Sequence, residues 1–353
     1  MLKRLFGKSA KSHTVRVEPF GADLTVGAKE TLLMAALKAG LPYPFECQVG
    51  SCTSCKARLV EGEIKALTDF AYVLEMDEIK DGYILACQSL AKSDLKIHVE
   101  SVEDGIEPLP IVTTEGLVTS VRNLTHDIYE LCITLDTPME YMAGQYANLH
   151  VPGVADSRSY SFAAAPVTNG TQELTFHIRL VPGGEVSTWL EKEDVTGSQV
   201  QVDGPHGVFW LRHSDAPILC IAGGSGMAPI KAILEQAAQD NTSRQAVYLF
   251  GARTQADLYA VENMAAIKSK WTSGFNFSPI LSEEPEASDW NGARGMVTEW
   301  IDKQTNFELS QCHAYLCGPP AMIDAALPVL KDAGIHPKHI HFDKFTDRSH
   351  TGG

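Results

Sequence analysis

No apolar run in the sequence approaches the roughly 20 residues of a membrane-spanning helix, so a helical membrane protein is not expected. Positive charge is also scarce: 29 Lys and Arg face 44 Asp and Glu, a formal charge of −15. That balance argues against nucleic acid and anionic membrane as partners. Internal repeats and low-complexity segments are absent. The basic opening, Met1 to Lys8, lacks a long apolar segment and a small-residue cleavage site, so it reads as a short extension rather than a secretory signal. The eight cysteines imply no disulfide framework, which makes a reducing cytoplasm the expected compartment. What is present is ample: 353 residues with 44% hydrophobic content suit two or three domains with filled cores.

Cys47, Cys52, Cys55 and Cys87 organise the first third. Four residues separate the first pair, two the second, and 31 lie before the last. This spacing resembles that by which plant-type ferredoxins hold a [2Fe-2S] cluster, two thiolates to each iron. Gly50, Ser51, Thr53 and Ser54 are small enough to let backbone N–H groups turn toward sulfur. Structural zinc prefers two similar short-spaced pairs, and only one is present; four structural cysteines are the remaining alternative. Around them, residues 14–18 and 24–26 read as strands, 29–39 as a helix ending at Gly40, 56–62 as a strand and turn, and 95–99 as a closing strand. The segment 14–101 is similar throughout to ferredoxin domains, an α+β, β-grasp-like fold. An acidic linker with two prolines, 102–110, follows.

From Thr114 the pattern becomes successive short alternating strands, clearest at 117–121, 128–135, 146–151 and 174–180, which predicts a small antiparallel β-barrel over 111–212. Arg158-Ser159-Tyr160-Ser161-Phe162 places Arg158, Tyr160 and Phe162 on one face by alternation. A charge, a ring and a nearby hydroxyl suit a flavin; an ordinary edge strand is the alternative. Val181-Pro182-Gly183-Gly184-Glu185-Val186-Ser187-Thr188 runs glycines into a helix, where N–H groups can gather on phosphate or simply cap a loop.

Ile218 to Ala222 is a continuous apolar run, as buried parallel strands are, and it enters Gly223-Gly224-Ser225-Gly226-Met227-Ala228-Pro229 and a helix to about Ala238. Further strands at 246–251, 275–281 and 314–316 alternate with helices, so residues 213–345 read as an α/β doubly wound parallel sheet. The glycines depart from G-x-G-x-x-G because Pro229 stands where the last glycine would, and the second strand does not end in an acid. An ordinary Rossmann dehydrogenase fits poorly. Cys317-Gly318-Pro319-Pro320 follows the fourth strand; Cys317 alone would read as a small buried residue.

Together these stretches resemble the ferredoxin–NADP reductase superfamily, and the domain order resembles the reductase components of bacterial multicomponent oxygenases, of the phenol hydroxylase, methane monooxygenase and benzoate dioxygenase type. The resemblance implies an FAD barrel in which Arg158 meets the FAD phosphates, Tyr160 flanks the isoalloxazine and Ser161 approaches N5. Gly183, Gly184, Val186, Ser187 and Thr188 would cradle the pyrophosphate, and Ser159, His177 and Arg179 are counted with this cofactor set. Asp203 to Phe209 matches the turn that closes such a barrel. It further implies that Gly223, Gly224, Ser225, Gly226, Pro229, Gly318 and Pro319 bind NADH, with Cys317 beside the nicotinamide. Arg253, Asp257 and Tyr259 would meet the adenosine end; without a second base near Arg253, NADH is expected over NADPH. Asp343 and Phe345 would lie at the flavin–nicotinamide contact, followed by a tail, 346–353. Ser161, Cys317, Asp343 and Phe345 are thus the expected catalytic group. The implied route is NADH to FAD to [2Fe-2S] to an oxygenase or hydroxylase docking near the cluster loop. A reductase for a cytochrome P450 or demethylase, or a redox-sensing binding protein, are the alternatives.

Overall fold

A computed structural model describes residues 12–41, 43–45, 50, 53–99, 109–192 and 194–345. Cys47, Cys52, most of the 102–110 linker and the 346–353 tail lie outside the described residues. The chain divides into two compact units, Met1–Pro110 and Ile111–Gly353.

The first unit contains β1 (His13–Glu18), β2 (Ala22–Val26), α1 (Leu32–Lys38), β3 (Lys56–Glu61), β4 (Ile64–Ala66), α2 (Met76–Lys80), β5 (Tyr83–Leu85), β6 (Ser89–Ala91) and β7 (Leu95–Val99). Strand order is β2-β1-β7-β3-β5, with β1 and β7 parallel and a separate β4–β6 pair. Alternation explains the core: Val15, Val17, Ile97 and Val99 are buried, as are Leu32, Leu33 and Ala36 of α1. The expected helix over 29–39 begins later, because Thr31 caps it through its side chain to Met34 N–H.

The second unit opens with β8 (Val112–Asn123), β9 (Ile128–Met139), β10 (Tyr146–His150), β11 (Arg158–Ser161), β12 (Thr171–Arg179), α3 (Glu185–Glu191) and β13 (Gln199–His206). The order β11-β10-β13-β8-β9-β12 is antiparallel. A Phe162–Phe176 bridge and the Ala163 N–H bond to Thr175 O (2.8 Å) bring its two outer strands together. Closure removes the exposed edges. Phe162, Phe176, Leu131, Ile133 and Leu149 fill the interior.

The parallel sheet then forms from β14 (Ile218–Gly223), α4 (Met227–Gln239), β15 (Ala246–Ala252), α5 (Val261–Lys270), β16 (Phe275–Leu281), β17 (Ala293–Arg294), α6 (Ile301–Gln304), β18 (His313–Gly318), α7 (Pro320–Asp332) and β19 (Ile340–Lys344). Its order is β17-β16-β15-β14-β18-β19. β14 shows why its run is apolar throughout: Ile218, Cys220 and Ala222 enter the core covered by α4 and α5, while Leu219 and Ile221 enter that covered by α7. Among the described residues, no helix is long and apolar enough to cross a membrane.

Candidate functional site

In the first unit Cys55 and Cys87 lie together and buried. Cys55 precedes β3 and Cys87 sits on the tight turn between β5 and β6; the Cys87 N–H donates to Cys55 Sγ (3.5 Å), and the Ala86 N–H to the Cys55 carbonyl (3.1 Å). None of the six described cysteines forms a disulfide. Gly50 has φ +80°, and a Cβ there would meet Gln88 Cγ at 2.7 Å, so only glycine suits the loop. Burial, then the thiols of Cys55 and Cys87, pushes the Tyr43 hydroxyl far up. Thiolate donors with an N–H aimed at sulfur are the donor set an iron–sulfur cluster requires.

The second unit joins the two barrel motifs directly. Arg158 on β11 donates to the carbonyls of Asp156 (2.9 Å) and Ser157 (3.0 Å) and to Glu185 (2.5 Å), the first residue of α3. Gly183 turns with φ +73°. Ser187 Oγ accepts from Val181 N–H (2.8 Å), so that hydroxyl shapes the turn rather than facing outward. Thr188 is likewise engaged, donating through its N–H (2.8 Å) and hydroxyl (2.9 Å) to the Gly184 carbonyl. The N–H groups of Glu185, Val186 and Ser187 open the helix without intrahelical acceptors, which suits a phosphate. Ser161 is buried and Tyr160 packs on the barrel core, whereas Ser159 is exposed and donates to Asn148 (2.8 Å). Phe162 turns fully inward onto Tyr141, with centroids 3.8 Å apart.

At the C-terminal edge of the parallel sheet, Gly223–Gly226 and Cys317–Gly318 interlock. A Cβ on Gly226 would overlap the Cys317 carbonyl, and one on Gly318, at φ +134°, would come within 2.7 Å of Gly223 O. Only glycine permits this approach. Cys317 is fully buried in the core beneath the turn, and Asp343 lies beside it in register on β19. The Phe345 N–H donates to Gly318 O (2.9 Å), and its ring packs on the same core. Pro229 falls within the first turn of α4, where a missing N–H costs nothing, and Pro319 caps α7.

The barrel meets this turn through β12. Tyr259 donates to Gly224 O (2.9 Å) and its ring stands edge-on to His177 (5.4 Å). Contact with His177, then with Arg122, pulls Glu130 down to about 2, while burial lowers His177. Arg179 passes within 3.8 Å of where a Gly224 Cβ would stand, and donates to Asp127 (3.2 Å). Arg253 donates to Asp127 (3.1 Å), Asp257 (2.7 Å) and His126 (3.2 Å). Arg253 and Asp257 are expected at the nucleotide from sequence, whereas Asp127, 126 residues from Arg253, carries no local signal that joins it to them.

Family models agree with this layout. One described as a 2Fe-2S iron-sulfur cluster binding domain matches residues 15–92, an oxidoreductase FAD-binding domain 115–210 and an oxidoreductase NAD-binding domain 220–327. The xylene/toluene monooxygenase electron transfer component XylA of Pseudomonas putida is 38% identical over 95% of this chain and 94% of its own. This chain belongs to the reductase components of multicomponent oxygenases. The reductase is also 34% identical to the phenol 2-monooxygenase reductase component DmpP of Pseudomonas sp. (strain CF600), over 95% of this chain and 94% of that one. Among solved structures, the Amycolatopsis cytochrome P450 reductase GcoB superposes with a TM-score of 0.78 at 30% identity, covering 95% of this chain and 99% of that one. The reductase is therefore an NADH-dependent iron–sulfur flavoprotein.

Proposed function

We propose that the reductase brings NADH and FAD together where the barrel meets the parallel sheet, and that Cys47, Cys52, Cys55 and Cys87 hold the cluster from which the oxygenase component draws electrons. When bound, the three groups divide the work: nicotinamide delivers two electrons at once, flavin parts with them singly, and the cluster takes one. The interlock of Gly223–Gly226 with Cys317–Gly318, backed by Arg179 and Tyr259, carries this reading: it leaves backbone, not side chains, facing a dinucleotide.

Arg158 and the first-turn N–H groups of α3 neutralise the FAD pyrophosphate, with Gly183, Gly184 and Thr188 shaping the turn. Tyr160 supplies ring area and Ser161 a hydrogen bond at N5, while Ser159, His177 and Arg179 frame the cofactor set. Gly224, Ser225, Pro229 and Pro319 shape the NADH side. Asp343 and Phe345 line the nicotinamide end with Cys317 buried beneath it, and Arg253 with Asp257 the adenosine end. The domains run 14–101, 111–212 and 213–345, and the oxygenase docks near the cluster loop. Thiolate ligands favour the reducing cytoplasm.

An anaerobic visible spectrum tests this: NADH should bleach both flavin and iron–sulfur absorbance in the intact protein. Bleaching of neither, in protein that dithionite reduces, would reject it. A cytochrome P450 as acceptor is the second reading, favoured by the likeness to the Amycolatopsis reductase. NADH-driven turnover with each candidate acceptor separates the two.

A further inference from the structure

The backbone that follows the flavin strand is held by α4. Lys231 Nζ donates to the Ala163 carbonyl (2.8 Å) and pairs with Glu235 (2.6 Å) one turn along the helix. Glu235 in turn accepts from the Ala165 N–H (3.2 Å), and the Tyr141 hydroxyl donates to the Ala164 carbonyl (3.1 Å) from the barrel side. Three consecutive residues are therefore fixed, two of them from the parallel-sheet domain.

Lys231 is only 8% exposed and stands among Ile230, Ala232, Ile233 and Leu234, all buried. An apolar side chain would serve packing at lower desolvation cost. What the ammonium adds is a connection. Ala163 lies two residues after Ser161, and Lys231 five after Gly226, so one side chain ties the strand carrying the flavin contacts to the helix that opens at the glycine turn. Beside this clasp the seam is open: a cleft of about 310 Å³ is lined by Ala164, Ala165, Glu235, Ala238 and Lys270 among others. Elsewhere along the seam Ile128, Ala143 and Phe209 share a core with Ile230 and Ile233 of α4; beside the cleft, at the end of the flavin strand, the two charged residues supply the connection.

We propose that Lys231 and Glu235 are positioning residues that hold the nicotinamide turn at reacting distance from the flavin strand without touching either cofactor. The inference rests on the hydride-transfer reading above. Reacting atoms must approach to about 3–3.5 Å, and a displacement of about 1 Å costs on the order of 100-fold in rate.

Stopped-flow reduction of the FAD-loaded, full-length protein tests it. Lys231→Met keeps the side-chain volume but removes both contacts. Its limiting rate of flavin reduction at saturating NADH should fall at least tenfold, while FAD content and the Kd for NADH stay within twofold. The long-wavelength absorbance of a nicotinamide stacked on flavin should weaken in parallel. Gln236→Ala, on the same helix but outside the clasp, should match the wild type. A Lys231→Met limiting rate within twofold of wild type overturns the proposal. Should that variant shed FAD or fail to fold, Glu235→Gln decides: at least a threefold slower limiting rate with FAD retained supports the clasp, and an unchanged rate overturns it. Failure of the wild-type flavin to be reduced by NADH, when dithionite reduces it, instead rejects the hydride-transfer reading and the inference with it.

Discussion

Glu185 holds Arg158 by a hydrogen bond of 2.5 Å, joining the flavin strand to the glycine-rich turn through the residue assigned to the FAD phosphates. A carboxylate therefore occupies the guanidinium that a pyrophosphate would use. Glu185→Gln should free Arg158 and tighten FAD binding roughly threefold, the weight of a half-exposed ion pair. Arg158→Ala should weaken it. Fluorescence titration of apoprotein with FAD checks both, and equal or weaker binding by Glu185→Gln would count against competition at this site.

Gly226→Ala tests the interlock. The new methyl would collide with the Cys317 carbonyl, so turn or strand must shift. Such overpacking costs about 1–3 kcal/mol. NADH affinity should fall while FAD content, set by the barrel, stays constant. A variant with wild-type melting temperature and wild-type NADH binding would show that the turn has slack.

Discrimination between nucleotides follows from Arg253. Asp127 and Asp257 already hold its guanidinium, and Asp127 also holds Arg179, so a 2′-phosphate would meet two carboxylates and only cations already engaged by them. We expect kcat/KM at least tenfold higher for NADH than for NADPH, about 1.4 kcal/mol. Equal values would mean the phosphate reaches another base.

Acid should loosen the parallel sheet. Burial foremost, then the charge of Arg212, pushes His341 down to about 3; burial foremost, then neighbouring His339, takes His313 to about 4. In the unfolded chain both titrate near 6.5. The folded state thus binds fewer protons below pH ~6.5, and stability falls as pH drops from there toward 4, by up to about 1.4 kcal/mol per unit for each histidine. His341→Phe, which preserves the stack on Tyr315, should flatten the decline in melting temperature between pH 7 and 5. An unaltered slope would assign the acid sensitivity elsewhere.

The sequence revealed those parts whose signals are local. Alternation marked the barrel strands, and the apolar run before Gly223 marked β14, because each face of that strand meets a separate core. β19 was missed as a strand: Phe342-Asp343-Lys344 supplies a motif but little apolar periodicity, and this edge strand pairs on one side only. The clasp was invisible for another reason. Lys231 and Glu235 at helical spacing read as an ordinary solvent-facing ion pair, and only folding places Ala163 against them. Glu185 likewise reads as an acid favouring a helix start, with nothing to name Arg158 as its partner. The resemblance places Ser187 at the pyrophosphate; its hydroxyl accepts from the Val181 N–H, a turn contact that residue type alone does not reveal.

β18 runs from His313 to Gly318. At about 3.3 Å per residue its ends stand about 16 Å apart. A substitution at His313 therefore makes no packing contact with the interlock at Gly318, so acid tolerance can be altered at one end of the strand without reshaping the backbone at the other.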